Sequence, residues 1–486
     1  MLQQELQETY TRDMVQYVNQ ERDAVKLLNL VGKLLFEQSI ELVFFRDYLV
    51  NITVTDVLEL VKYGKKVVKR PIDLKDVVEM AEIIEKMKLA PAKLDIARLT
   101  AEWTETHIEN LSKEEFLNVK LKGFNIDHNE AMRPRDVVLF GLGRIGRLAA
   151  RELIKQFGKG QQLRLRAIVT RSDDEATIVK RAALLRNDSV HGKFAGTIEE
   201  DLENKQLIIN GQRVHMIGTH DPGSLDYTRY GIEDALLIDN TGAYRDRDAL
   251  GIHLKAKGIS KVLLTAPGKE VPNVVYGINH KDLDIDNETI FSAASCTTNA
   301  ISPVLKVIHD ALEVECGHIE TIHAYTNDQN LLDNMHKKPR RGRSAAINMV
   351  LTSTGAGKAV SKVIPDLEGK LTANAVRVPT PNGSLAIMKL KVKKPTSVEQ
   401  INEILRKAAL EGDLVNQINY QINPELVSND IIGNTCASVF DSKNTIVHSD
   451  GVNIVLYTWY DNEFGYTKQV IRMAKYIAKV RRLHYY

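Results

Sequence analysis

A cysteine in SAASCTTNAISP, Cys296, stands just ahead of an apolar run that reads as a helix. A thiolate is a useful nucleophile only if its pKa falls, and the unpaired N–H groups and partial positive charge of a helix N-terminus lower it. Such a nucleophile needs a base, and ETIHAYTNDQ puts His323 at the end of a short apolar strand about 27 residues later. One helix and one returning strand can bring the two side chains together. Taken singly, Cys296 reads equally well as a small buried apolar residue and His323 as a structural one; each gains weight from the other.

Groups suited to phosphate surround this pair in the sequence. KKPRRGRSAA, TSTGAGKAV and AVRVPTPNGS supply Arg340, Arg341, Arg343, Thr354, Gly355 and Arg377. Hydroxyls, glycine backbone N–H groups and guanidinium forks are what phosphate oxygens require. A second anion signal lies in DVVLFGLGRIGRLAARELIKQF, a strand followed by Gly141, Gly143 and Gly146 and then a helix. Gly141 and Gly143 let backbone approach a pyrophosphate at the helix N-terminus, and Gly146 lets helix and strand pack closely. The next strand, LRLRAIVTRSDD, ends on Thr170, Arg171 and Ser172, where NAD sites place an acid against the ribose 2'-hydroxyl. An arginine and a hydroxyl there suit a 2'-phosphate better, which points to NADP or dual specificity; Asp173 and Asp174 keep NAD open.

The elements that must carry these groups divide the chain in two. Up to about residue 130 glycine is scarce, charge is mixed, and apolar residues fall at helical spacing, as in Leu27, Leu28, Val31, Leu34 and Leu35. PIDLKDVVEMAEIIEKMKLAP predicts a further helix, with Asp73 able to cap its start and Pro91 following its end. This part holds about 18 basic and about 23 acidic residues, and its only basic cluster, KKVVKRP, reads as a solvated helix end. From Arg135 onward short β-branched strands alternate with helices and glycine turns, the pattern of a parallel α/β sheet.

Composition narrows the class. The 486 residues are 43% hydrophobic and 26% charged, as in a soluble globular chain of several domains. Three cysteines, Cys296, Cys316 and Cys436, make no disulfide framework, and the start MLQQELQETYTRD lacks a leader's apolar stretch, so a reducing cytoplasm is expected. No run of about 18 apolar residues occurs to span a membrane. A net charge of +2 argues against nucleic acid or lipid as the main partner, and no metal site is expected.

FGLGRIGRLA, SAASCTTN, HAYTNDQ, TSTGAGKAV, VRVPT and WYDNEFGY follow one another in the order and spacing of phosphorylating glyceraldehyde-3-phosphate dehydrogenases, which the chain resembles from about Arg135 to about Lys479. That resemblance implies an α/β architecture: a Rossmann-type NAD(P)-binding domain over 132–295, a catalytic α+β domain over 296–462, and a last helix within 463–486 returning to the cofactor domain. An all-helical N-terminal domain over 1–131, with no counterpart in shorter members, precedes them. It further implies Cys296 as nucleophile and His323 as its base. Ser295, Thr354 and Gly355, with Thr297 beside them, match the site for attacking phosphate; Thr326 and Arg377 match the site for the substrate's phosphate. Arg341 or its neighbour Arg343 matches the arginine between these sites. Gly141, Gly143, Arg144, Ile145 and Gly146 match the dinucleotide loop, Thr241 sits beside the cofactor, and Asn462 matches the residue that holds the nicotinamide amide, with Tyr466 nearby.

The implied reaction converts D-glyceraldehyde 3-phosphate, phosphate and NAD(P)+ to 1,3-bisphosphoglycerate and NAD(P)H through a cysteine thioester, in a homotetramer. Departures from the family pattern are the Thr170–Arg171 pair in place of an acid, Ala300 in place of a second cysteine, and Gly383 and Ile387 in a region of subunit packing. Two other readings compete. Erythrose-4-phosphate dehydrogenase shares the cysteine and histidine motifs but usually lacks an intact STGA segment, present here as Ser353 to Ala356. A regulatory or scaffold protein could instead use the N-terminal helices to bind a partner.

Overall fold

Helical periodicity in the first part of the chain folds as helices, but strands lie between them. The computed structural model describes residues 2–105, 111–125, 133–155, 162–352 and 354–486. They fall into two compact units: one holds the described residues up to Arg133 with Gln162 and Arg481–Tyr486, the other Pro134–Lys155 and Leu163–Val480. The expected boundary at 131/132 lies outside the described residues, as does Ser353.

In the first unit, α1 (Leu2–Lys33) buries Ala24, Leu27 and Val31. It is followed by β1 (Glu41–Phe44), β2 (Asp47–Tyr48), α2 (Val54–Tyr63), α3 (Leu74–Lys86), β3 (Ala92–Asp95), α4 (Ile96–Glu105) and α5 (Lys113–Lys120). Asp73 caps α3 as expected, its carboxylate accepting from the Lys75 N–H at 2.9 Å. The all-helical expectation is corrected. A four-stranded sheet runs β2, β1, β3 and then the strand Leu483–Tyr485 from the far end of the chain. Strands of four residues or fewer are too short to show a period of two, and the closing strand lies hundreds of residues away from its partner. Its register is parallel to β3, Leu483 beside Ala92 and Tyr485 beside Leu94. Buried Asp95 secures the sheet's end: its carboxylate accepts the N–H groups of Phe45 (2.9 Å), Arg46 (2.8 Å) and Arg98 (3.0 Å). One side chain thus caps both α4 and the left-handed turn after β1.

The second unit begins with β4 (Arg135–Phe140), α6 (Arg144–Ile154), β5 (Leu163–Thr170) and α7 (Glu175–Arg186). A hairpin of β6 (Ile198–Asp201) and β7 (Gln206–Ile209) leads to β8 (Gln212–Gly218), and β9 (Ala235–Asp239), β10 (Ile259–Leu264) and β11 (Ile290–Ser292) complete the sheet. Its order is β11-β10-β9-β4-β5-β8-β7-β6, with β11 through β8 parallel. This is the Rossmann-type domain. The chain leaves β4 to one side for β5 and later returns on the other for β9, so the order reverses at the carboxyl end of β4, where such sheets bind ligands.

The second sheet carries the other chemistry. α8 (Cys296–Leu312) leads into β12 (Val314–Ala324), β13 (Val350–Thr352), α9 (Ala356–Val363), β14 (Leu371–Val378) and β15 (Ser384–Val392). After α10 (Val398–Leu410) come β16 (Ile418–Gln421), β17 (Ser438–Asp441) and β18 (Asn453–Tyr460), in the sheet order β13-β14-β12-β15-β18-β17-β16. The parallel register of β12 on β14 sets His323 beside Arg377. The last helix, α11 (Phe464–Ile477), is shorter than expected, because Arg481–Tyr486 join the first unit instead of extending it.

α11 packs on α6 through a buried ion pair: Glu152, 5% exposed, meets Lys468 at 2.7 Å and Lys155 at 2.8 Å. Burial alone would raise this carboxyl; the two ammonium groups overcome it and hold it at about 2. A carboxyl depressed from its ordinary 4.5 stabilises the fold fully above pH 4.5 and loses that contribution as pH falls towards 2. The linked free energy is about 3 kcal/mol. Glu152→Gln should therefore lower the thermal midpoint by several degrees at pH 7, with the difference from the parent shrinking between pH 4.5 and 2.5; calorimetry across that range checks it.

Candidate active site

The turn between β11 and α8 decides where the thiol points. Ala294 takes φ +55°, the left-handed region that costs an L-residue roughly 1 kcal/mol. Three contacts hold it there. Its N–H donates to Ser292 Oγ (3.0 Å), its carbonyl accepts the Tyr466 hydroxyl (3.0 Å), and Asn299 Nδ2 donates to the carbonyls of Ala293 (2.8 Å) and Ser295 (2.9 Å). Ser295 Oγ caps the helix by accepting the Thr298 N–H at 3.0 Å. Cys296 is thereby the first residue of α8, half-buried, with Sγ 3.5 Å from His323 Nε2. Sequence spacing alone brought these two residues together, and the structure agrees.

His323 is buried at the end of β12. Its Nδ1 lies 2.7 Å from the Ala324 carbonyl, which can only accept, so Nδ1 carries the proton and Nε2 turns its lone pair to the thiol. Arg377 Nη1 donates to the same carbonyl at 2.9 Å and stands 3.0 Å from Nδ1. Burial, then the Arg377 charge, then that of Arg341 push the imidazole down to about 3. Burial also pushes the Cys296 thiol up, against the pull of Arg377 and the Thr297 hydroxyl. Both effects favour a neutral thiol facing a neutral imidazole, a nucleophile and base with the proton still on sulfur.

Anion-binding groups converge on this pair. Arg377 Nη1 reaches to 3.4 Å from Thr326 Oγ1, and its buried Nε has no hydrogen-bond partner among the described residues. Of the three arginines in KKPRRGRSAA, Arg341 is the one turned inwards: it pairs with Asp328 and donates through Nε to Thr352 Oγ1 at 3.0 Å. Arg343 is paired with Asp333 at 2.9 Å, away from the thiol, and Arg340 is exposed. Thr354 Oγ1 accepts the Ala356 N–H (3.2 Å) at the start of α9, next to Gly355. Thr297, expected beside the attacking phosphate, has a buried hydroxyl that meets the Tyr460 hydroxyl at 3.1 Å.

At the carboxyl end of β4, Gly141 has φ +92°, and a Cβ on it would stand 2.9 Å from Thr241 Cγ2. A Cβ on Gly146 would stand 2.3 Å from the Gly141 carbonyl oxygen. Both positions exclude any larger side chain, and Gly143, the N-cap of α6, offers no side chain to occupy that helix's first N–H groups, Arg144 and Ile145 among them. The loop fits a dinucleotide's pyrophosphate. Thr241 is held by Asp239, whose Oδ1 accepts its N–H and its hydroxyl, both at 2.7 Å. The other Asp239 oxygen meets fully buried His253 at 3.0 Å. Arg171, at the end of β5, is exposed and makes no hydrogen bond or ion pair among the described residues.

Two relays join the cofactor side to the thiol side. The Ala324 N–H donates to Ser384 Oγ (3.1 Å), which donates to Asn462 Oδ1 (2.7 Å), leaving Asn462 Nδ2 without a partner among the described residues. Glu463 pairs with Arg144, Nη2 at 2.6 Å, and with His191 at 3.0 Å, tying the glycine loop to the segment that presents Asn462. Tyr466, expected beside the cofactor, anchors the thiol's turn through the Ala294 carbonyl. Sequence reasoning passed over Tyr460, Asn299, Ser384, Glu463 and the Asp239–His253 pair. Tyr460 and Glu463 lie within WYDNEFGY and could have been flagged with it; the others act only through contacts made in three dimensions.

A Rossmann-type sheet joined to a sheet carrying a thiol–imidazole pair defines a nicotinamide-dinucleotide oxidoreductase of the aldehyde-oxidising kind. Comparison with known proteins is specific. The family description "Glyceraldehyde 3-phosphate dehydrogenase, NAD binding domain" matches residues 135–247, and the C-terminal domain of the same family matches 295–462. A glyceraldehyde-3-phosphate dehydrogenase-like protein of Pseudomonas aeruginosa is 46% identical over 461 residues, 93% of this chain and 98% of that one. Glyceraldehyde-3-phosphate dehydrogenase of Clostridium pasteurianum is 39% identical over 351 residues, 71% of this chain and 99% of that one. Glyceraldehyde-3-phosphate dehydrogenase 1 of Bacillus subtilis is 42% identical over 299 residues, 61% of this chain and 87% of its own. The chain belongs to the glyceraldehyde-3-phosphate dehydrogenase family, and the match to the Pseudomonas protein extends into the N-terminal part. Among the described residues no helix is long and apolar enough to cross a membrane.

The Glu463 relay makes a prediction. Glu463→Gln leaves Arg144 and His191 with a neutral partner, so dinucleotide binding, followed by quenching of intrinsic fluorescence, should weaken by about 3- to 10-fold. The far-ultraviolet circular dichroism spectrum should be unchanged.

Proposed function

We propose that this chain catalyses the phosphorylating oxidation of D-glyceraldehyde 3-phosphate to 1,3-bisphosphoglycerate, with Cys296 as nucleophile and His323 as base. The observation that carries the reading is the 3.5 Å approach of Sγ to an imidazole nitrogen whose lone pair faces it. His323 takes the thiol proton as sulfur adds to the aldehyde carbon and passes it to the carbonyl oxygen, giving a hemithioacetal, then removes that hydroxyl proton as the carbon is oxidised. Bound nicotinamide dinucleotide supplies the hydride acceptor. The Cys296 backbone N–H and protonated His323 stabilise the oxyanion as phosphate attacks the resulting thioester and the acyl phosphate leaves sulfur. Arg377 and Thr326 hold the substrate's phosphate; Arg341, Thr354, Gly355 and Ser295 serve the attacking one.

Asn462 Nδ2 and the Gly141 loop would hold the dinucleotide, and the unpartnered Arg171 favours one with a 2'-phosphate. The assembly is a homotetramer on this reading. Supporting it, the loop around Arg341 exposes Leu331 (72%), Met335 (95%), Ile347 (79%) and Met349 (77%), apolar side chains suited to a subunit contact. Three free cysteines suit a reducing cytoplasm.

The deciding assay is NAD(P)H formation from glyceraldehyde 3-phosphate with and without phosphate. Phosphate-dependent turnover should vanish in Cys296→Ser; turnover that survives it refutes the mechanism. His323→Asn should lower kcat by about 10²- to 10⁴-fold. Because burial holds the thiol above its ordinary range, the residual rate of that variant should climb with pH into the alkaline range more steeply than the parent's, whose imidazole stays neutral and basic above about pH 3. Arg171→Asp should move the kcat/KM ratio of NADP to NAD towards NAD by about tenfold or more.

A further inference from the structure

Behind the glycine loop lies a polar pair with no access to solvent. Asp239 ends β9, between Phe140 of β4 and Leu264 of β10, and His253 sits on a single 3₁₀ turn, Ile252–Lys255. Both side chains are fully buried, which costs free energy unless their polar atoms are paired. His253 Nδ1 has no hydrogen-bond partner among the described residues, so the ring's proton belongs on Nε2, which donates it to Asp239 Oδ2 at 3.0 Å. The other oxygen takes both donors of Thr241, N–H and hydroxyl. Two rings hold the imidazole edge-on: Phe140, the residue before Gly141, at 4.7 Å, and Tyr244, two residues beyond Gly242, at 5.0 Å.

What this buried pair supports lies at the surface. Thr241 is exposed; its hydroxyl gives its proton to Asp239 and accepts the Ala243 N–H at 3.1 Å, while its methyl faces Gly141. Gly242 takes φ +66° at the tip of this loop, and its N–H makes no hydrogen bond among the described residues. We propose that His253 is a positioning residue for dinucleotide binding: acting through Asp239 it sets the Thr241 side chain, and thereby the Gly141 turn and the free Gly242 N–H. This rests on the reading that the Gly141 loop holds the dinucleotide. Without the imidazole's donor, Oδ2 is left unpaired in the core, and a carboxylate that turns towards another donor withdraws Oδ1 from Thr241. The loop then loses the one contact that fixes which way its threonine points.

Calorimetric titration of the full chain with NAD and with NADP tests this without turnover. His253→Gln and His253→Asn both replace the ring by an amide, but only the longer side chain places its nitrogen where Nε2 stood. His253→Asn should weaken binding about tenfold, and His253→Gln by less than about threefold. Thr241→Val keeps a methyl, removes the hydroxyl, and should also weaken binding about tenfold. It touches no buried side chain, so it decides the matter even where His253→Asn does not fold. Because His253 acts through that hydroxyl, the double variant should stay near about tenfold, where independent roles would give about a hundredfold. Parent-like binding in Thr241→Val, additive losses in the double variant, or a glutamine no better than the asparagine would each overturn the proposal. A parent that binds neither dinucleotide would instead sink the cofactor reading, and this inference with it.

Discussion

The separation between a sulfur at the start of α8 and a ring nitrogen at the end of β12 is the distance the second unit is arranged to hold. Neither atom is free to search for the other. Cys296 is fixed by a backbone kink at Ala294 that Tyr466 and Asn299 pin from two directions. His323 is fixed by its own neighbour's carbonyl, and β14 pairs alongside so that Arg377 shares that carbonyl. A helix and a sheet therefore meet at a predetermined point, and the dry surroundings that keep the thiol and imidazole neutral are part of the same construction.

The cofactor side is coupled to this point through short polar chains. Ala324, adjacent to His323, reaches Asn462 through one serine hydroxyl. The next residue, Glu463, reaches back to the first turn after the glycine loop. Two sheets are thus set relative to each other by residues consecutive in one loop. A displacement of that loop would move Asn462 and the Gly141 loop together.

Much of this was legible in the sequence because it was written in short motifs: a glycine spacing, a cysteine before a helix, a histidine at a strand end. Choosing among Arg340, Arg341 and Arg343 was not possible from sequence, since the loop's fold, not its composition, turns Arg341 to Asp328. The contact of Tyr466 with the thiol's turn was not legible for a similar reason: a motif gives proximity, while the hydroxyl's direction comes from packing. The first unit was read as helical throughout because β1 and β3 are four residues each, below the length at which alternation shows. Its fourth strand could not be assigned at all, for nothing in RRLHYY names a partner at residues 92–94.

That fourth strand has a consequence for biogenesis. At roughly 5 to 20 residues per second, synthesis takes from about 20 seconds to more than a minute between β3 and the strand that pairs with it. During that interval the edge of β3 is an open template for any other strand. The small sheet can close only once Leu483–Tyr485 has been made, so a product truncated before it, however complete the other two sheets, leaves that edge of β3 unpaired.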